Sequence, residues 1–126
     1  LHKRISPFFS MGLVTASPRH SLKKIIDKLN LNNYFIQIIS GEDAIKNKPL
    51  PAPYILMMEK LNSKPQNTII IEDSLTGLQS AIGSNAHVIA KTGSVPTSKL
   101  ADFNYIINHL DEITIDFLED ILKNKK

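Results

Sequence analysis

The sequence contains no cysteine. Disulfides, thiolate metal sites and a cysteine nucleophile are therefore excluded. No apolar stretch approaches the roughly 20 residues that a membrane-spanning helix needs, so no membrane partner is expected. There is no internal repeat and no low-complexity tract. With 42% hydrophobic and 21% charged residues, the composition is that of an ordinary globular chain, which excludes wholesale disorder, a collagen-like fibre and a coiled coil. At 126 residues the chain amounts to one domain at most, long enough to bury a real core.

The formal net charge is +3, unevenly spread. Residues 1–63 hold nine Lys/Arg against four Asp/Glu, and residues 64–126 hold six against eight. The basic half has no tight arginine cluster and little aromatic interleaving, so it reads as a solvated lysine-rich surface, and no nucleic-acid partner is expected. The first residue is Leu1 rather than Met, and no charged-then-apolar signal follows it. The expectation is a cytoplasmic chain preceded by further sequence.

Short apolar runs alternate with amphipathic stretches. Strands are expected at Met11–Ala16, Gln37–Ser40, Thr68–Ile71, Val88–Ala90 and Tyr105–Ile107. Thr68–Ile71 is the strongest, an unbroken β-branched run of the kind found in a central parallel strand buried on both faces. Leu22, Ile25, Ile26 and Leu29 repeat at helical spacing, with Ser17 as the expected N-cap and Pro18 at the first helical position. Further helix faces are marked by Tyr54, Ile55, Met58 and Leu61, by Leu75, Leu78, Ala81 and Ile82, and by Leu110, Ile113, Phe117 and Ile121. Strand and helix alternating at this spacing predict right-handed crossovers: an α/β fold with a doubly wound parallel sheet.

Ligands of such sheets bind at the carboxyl ends of the strands, where three polar sets fall. Thr15-Ala16-Ser17 closes the first strand, and a hydroxyl beside a helix N-terminus can hold an anion; taken alone, Ser17 reads first as a helix cap. Lys48-Pro49 sets an ammonium on a stiffened backbone, able to neutralise a phosphate; taken alone, it reads first as a surface loop lysine. Glu72-Asp73-Ser74, with Gly77 beyond, puts two carboxylates after an apolar strand. Either a Mg²⁺ ion held by oxygen ligands or a capped helix N-terminus accounts for them.

In this order the sets resemble the haloacid dehalogenase superfamily of phosphohydrolases, in the branch of phosphoglycolate phosphatases and β-phosphoglucomutases. Leu13–Ser17 is similar to the family's second motif, Lys48–Pro51 to its third and Ile69–Gly77 to its fourth, and the likeness runs from about Met11 to Ile107. The resemblance implies a Mg²⁺-dependent phosphatase or phosphomutase acting on a small phosphorylated metabolite. Thr15 would hydrogen-bond the transferring phosphoryl group and Lys48 would neutralise it. Ala16, Ser17 and Arg19 would lie against substrate, Asp73 and Glu72 would hold the metal, and Ser74 and Gly77 would support them.

Two departures stand out. The family usually has Asp where this chain has Ala52, which implies a locally weakened loop. Its first motif, Asp-x-Asp, carries the nucleophile and the general acid/base, and occurs nowhere in these 126 residues. The expectation is a C-terminal portion of a HAD-like core, lacking the first strand and the cap and inactive alone. Residues 1–10 would end a preceding helix, 11–107 carry the motifs, and 108–126 form a terminal helix and lysine tail. The strands of Thr15 and Asp73 would be left with open edges, to be closed by a missing N-terminal segment or by self-association. The alternative is a non-catalytic phosphate- or metal-binding or regulatory module.

Overall fold

The computed structural model describes residues 2–41, 43 and 50–124. A four-residue helix, α1 (His2–Ile5), leads into strand β1 (Gly12–Val14). Helix α2 (Arg19–Leu29) and strand β2 (Gln37–Ile39) follow, then helix α3 (Ala52–Leu61) and strand β3 (Ile69–Glu72). Helix α4 (Leu75–Gly83), strands β4 (His87–Lys91) and β5 (Ile106–Ile107), and helix α5 (Ile115–Lys123) complete the chain. Among these residues no helix is long and apolar enough to cross a membrane.

All strand pairings are parallel, as the alternation predicts. They form two sheets: β1 with β2, and β3–β4–β5 in that order. Gly12 pairs with Gln37 and Val14 with Ile39 in the first; Ile69 pairs with His87 and Glu72 with Ala90 in the second. Side chains alternate between faces along each strand, and helices cover both. On one face Ile89 and Ile107 pack with Ile5, Ile113, Leu118 and Ile121, from α1 and the α5 region. On the other, Ile70 packs with Tyr54 and Met58 of α3 and Ala81 of α4. Val14 packs against that second cluster and Met11 against the first. Helix α3 thus packs on β1 and β2 as well as on the cluster around β3. This is the α/β doubly wound arrangement, in the interrupted form expected.

Several local expectations are corrected. Helix α2 starts one residue late: Pro18, extended at φ −61° and ψ 151°, takes the N-cap position, and Ser17 makes no cap. The stripe on α2 buries only Leu22, while Ile25 and Leu29 are exposed. Strand β3 is not closed on both faces: Ile70 is buried but Ile69 and Ile71 only half so. Among the described residues β3 pairs with β4 alone, so one flank lacks the neighbour that would finish its burial. Finally, Leu110 falls in a 3₁₀ turn and Ile113 in the connection to α5, which Thr114 caps. Ile113 is nonetheless fully buried and packs with Leu118 and Ile121 of α5, whereas Leu110 in the turn is exposed.

Candidate active site

Strand β1 ends where Thr15 N–H donates to Ile39 O at 3.0 Å, one step beyond the ladder with β2. The chain then turns back on itself. Ser17 N–H donates to Thr15 Oγ1 at 3.1 Å, a local hydroxyl turn that competes with helix. Ser17 O accepts from Gly41 N–H at 3.0 Å. With both backbone groups so engaged, Ser17 is held out of the N-cap position. Thr15 Oγ1 is thus an acceptor for Ser17, and its own proton remains available to donate at the carboxyl end of the sheet. Ala16 and Ser17 are exposed beside it.

Arg19 opens α2 and pairs with Asp43 in the loop after β2. Asp43 Oδ2 also accepts from Ser40 N–H at 2.7 Å and from Ser40 Oγ at 2.9 Å. The Ser40 backbone donor first, then its hydroxyl and the Arg19 guanidinium, hold the Asp43 carboxyl below the ordinary carboxylate value, against a partial opposition from burial. Lys48 lies further along this connection, outside the described residues.

At the end of β3, Glu72 continues the inward phase of Ile70 and is buried. Tyr54 of α3 donates its O–H to Glu72 Oε1. The other oxygen accepts from Asp73 N–H at 3.2 Å and Ser74 Oγ at 3.3 Å. A buried carboxylate requires such partners. Burial first, and then the Glu72 carboxylate, push the Tyr54 phenol well above its usual value. Ser74, not an acid, caps α4, its Oγ accepting from Gly77 N–H at 3.0 Å. A Cβ on Gly77 would lie 2.1 Å from Glu72 Oε2, so glycine lets the first turn of α4 close over the carboxylate where it stands, and there the helix dipole favours negative charge. Asp73, next along, is exposed.

The structure therefore gathers Thr15, Ala16, Ser17 and Arg19 at one strand end and Glu72, Asp73, Ser74 and Gly77 at another. The two groups are joined through apolar packing of Val14 on the cluster that holds Ile70 and Tyr54. Sequence reasoning missed two participants. Tyr54 was read only as part of an apolar helix face, although a buried tyrosine hydroxyl needs a partner. Asp43 belongs to none of the three polar sets picked out in the sequence. The loop near Ala52 is anchored at Leu50, whose carbonyl accepts from the buried Ser80 hydroxyl at 2.5 Å.

Mg²⁺ takes one or two carboxylates together with waters and substrate phosphate. Among the described residues no group of three or more His, Asp or Glu could hold a metal ion. Asp73, an exposed oxygen donor at a strand terminus, suits one position of such a set. Glu72, turned to Tyr54 and Ser74, suits the role of a support behind it. The donors fit Mg²⁺ as part of a shell that substrate, water and further oxygen ligands would complete.

Comparison with known proteins names the class that this arrangement defines. The model of the haloacid dehalogenase-like hydrolases matches residues 5–91, and the chain belongs to that family. It is 29% identical to a pyrophosphatase, PpaX, of Oceanobacillus iheyensis over 113 residues, covering 90% of this chain and 50% of that protein. Over 71 residues it is 32% identical to a phosphoglycolate phosphatase of Escherichia coli, covering 56% of this chain and 28% of that protein. Among solved structures, a HAD hydrolase of family IA from Entamoeba histolytica superimposes with a TM-score of 0.80 at 28% identity, over 90% of this chain and 53% of that one. A β-phosphoglucomutase from Clostridium difficile shares the fold at a TM-score of 0.77 and 20% identity, over 96% of this chain and 52% of that one. The chain spans half or less of the length of these curated relatives.

Proposed function

We propose that this chain supplies the phosphate-holding and metal-supporting part of a Mg²⁺-dependent phosphohydrolase or phosphomutase. Its substrate would be a small phosphorylated metabolite. The observation that carries the reading is that Thr15 follows β1 and Asp73 follows β3, strands whose Val14 and Ile70 pack in one apolar cluster, inside a chain whose family is that of hydrolases. Thr15 would donate its hydroxyl proton to a phosphoryl oxygen while Ser17 N–H fixes the rotamer. Lys48 would neutralise phosphoryl charge as a point cation. Asp73 would hold the metal, with Glu72 setting its backbone through the Asp73 N–H. Bound there, Mg²⁺ would supply charge stabilisation for the transferring phosphoryl group.

The family reaction forms a phosphoaspartate on the first Asp of Asp-x-Asp, and the sequence contains no such motif. If the reaction is the family's, the nucleophile comes from outside these 126 residues, on a strand that would lie between β1 and β3. The 126-residue chain alone is therefore expected to release no phosphate from p-nitrophenyl phosphate. Joined to its own in-frame upstream coding sequence, it should release phosphate in a Mg²⁺-dependent manner, and Thr15→Ala and Asp73→Asn should each reduce the rate by at least about tenfold. Turnover by the 126 residues alone would overturn the division of labour. Phosphate binding without turnover in the extended protein would favour a non-catalytic binding module instead.

A further inference from the structure

The loop that carries Thr15 and Ser17 is not held by its own strand alone. Three contacts tie it to the loop after β2. Gly41 N–H donates to Ser17 O at 3.0 Å. Arg19 pairs with Asp43. The backbones approach so closely at Gly41 that a Cβ there would stand 2.3 Å from Ala16 O. Asp43 is itself fixed from behind, by Ser40 N–H at 2.7 Å and Ser40 Oγ at 2.9 Å. Ser40 is buried, so this anchor is rigid, and β2 holds it in register through the pairing of Ile39 with Val14. The Arg19 side chain is largely exposed, with Asp43 more covered. Asp43 is thus the more enclosed partner, held from behind, and Arg19 the more exposed one.

We propose that Asp43 is a positioning residue: through Arg19 and the adjoining Gly41–Ser17 hydrogen bond, it fixes the Thr15–Ser17 turn in the shape that presents the Thr15 hydroxyl to an anion. This rests on the reading of Thr15 as a phosphate contact. Asp43 touches no substrate; it acts on the loop that does. An ion pair this exposed adds little to global stability, so removing it is expected to loosen the turn rather than unfold the chain.

The test uses the ¹⁵N-labelled 126-residue chain, with Asp43→Asn, Arg19→Gln and the double variant, and Asp43→Glu as the conservative control. Two readouts are taken: amide exchange at Gly41 and Ser17, and titration with inorganic phosphate followed by amide shifts. The expectation is a fall of about tenfold in protection at both amides in either single variant, with no further fall in the double variant, because the two side chains act as one unit. Phosphate binding should weaken several-fold in the same variants, and Asp43→Glu should restore both readouts in part. Unchanged protection in Asp43→Asn overturns the proposal. So does additivity in the double variant, or lost protection with phosphate affinity unaltered. If the unsubstituted chain binds no phosphate, the reading of Thr15 fails, and the exchange data still decide whether Asp43 holds the turn.

Discussion

Strands β4 and β5 bring Ile89, Ala90 and Ile107 into a core almost closed to solvent, and Leu78, Leu100, Ile113 and Ile121 seal it from the helices and connections around it. Strand β1 is half-buried along its whole length, and α2 above that end of the chain buries Leu22 alone. Hydrophobic stabilisation follows the apolar area removed from water, so the β3–β4–β5 sheet is the stable platform. The β1–β2 sheet encloses Ile39 fully, but the loops that follow its strands are tied by polar contacts: Ser17 to Thr15, Gly41 to Ser17, and Arg19 to Asp43. The family motifs are divided between them. The hydroxyl follows half-buried β1, and the carboxylates lie at the end of β3 in the firmer sheet.

Substitutions at matched places can break or sharpen that contrast. The largest effect is expected at Ile89, fully enclosed in β4: Ile89→Ala should lose about 2–5 kcal/mol in urea unfolding, with the denaturant slope unchanged. Next come the two glycines that lie against site atoms. Gly41→Ala forces a Cβ to within 2.3 Å of a backbone carbonyl, and Gly77→Ala to within 2.1 Å of a side-chain carboxylate. Overpacking of this kind costs about 1–3 kcal/mol, read as a lowered Tm. Gly41 should fall at the upper end, because a backbone cannot turn aside as the Glu72 side chain can. If Gly77→Ala proves the worse, Glu72 is held more rigidly than the carbonyl of Ala16.

Tyr54→Phe removes the donor to Glu72 Oε1 and should lose about 1–3 kcal/mol at neutral pH. It also changes the alkaline limb. The folded phenol has its pKa raised above the ordinary 10.0. Its contribution is therefore full below about pH 10, where both states keep the proton, and is lost as the pH rises and the unfolded chain alone ionises. Stability of the unsubstituted chain should decline above pH 10 more steeply than that of Tyr54→Phe, in denaturant titrations at pH 9 and 11. The smallest effect is expected at Ile25→Ala on exposed α2, within about 0.5 kcal/mol. A loss above about 2 kcal/mol there would mean that α2 is packed in solution far more tightly than its exposure indicates.

The strands and the α/β alternation were legible in the sequence because runs such as Thr68–Ile71 and Val88–Ala90 admit few other arrangements at that length. The clusters around Thr15 and Glu72 were legible because polar residues directly follow those runs. The ties between elements were not. Tyr54 reaches Glu72 across 18 residues and Arg19 reaches Asp43 across 24, and no local period marks such pairs. The start of α2 was misplaced because Ser17-Pro18 carries the usual signal for a cap. The signal yielded to tertiary hydrogen bonds, from Gly41 to Ser17 O and from Ser17 to Thr15 Oγ1. The half-burial of β3 was hidden for a different reason: the composition of a strand records the sheet it suits, and Ile69–Ile71 suit a strand flanked on both sides.

The open flank of β3 bears on the central proposal, that a reaction of the family's kind would take its nucleophile from a strand carrying Asp-x-Asp between β1 and β3. The most direct measurement is to sequence the native coding region upstream of Leu1, in frame. The account predicts an apolar strand ending in Asp-x-Asp, followed by a helical insertion that leads into His2–Ile5. A reading frame that closes, or runs on without that motif, would contradict it.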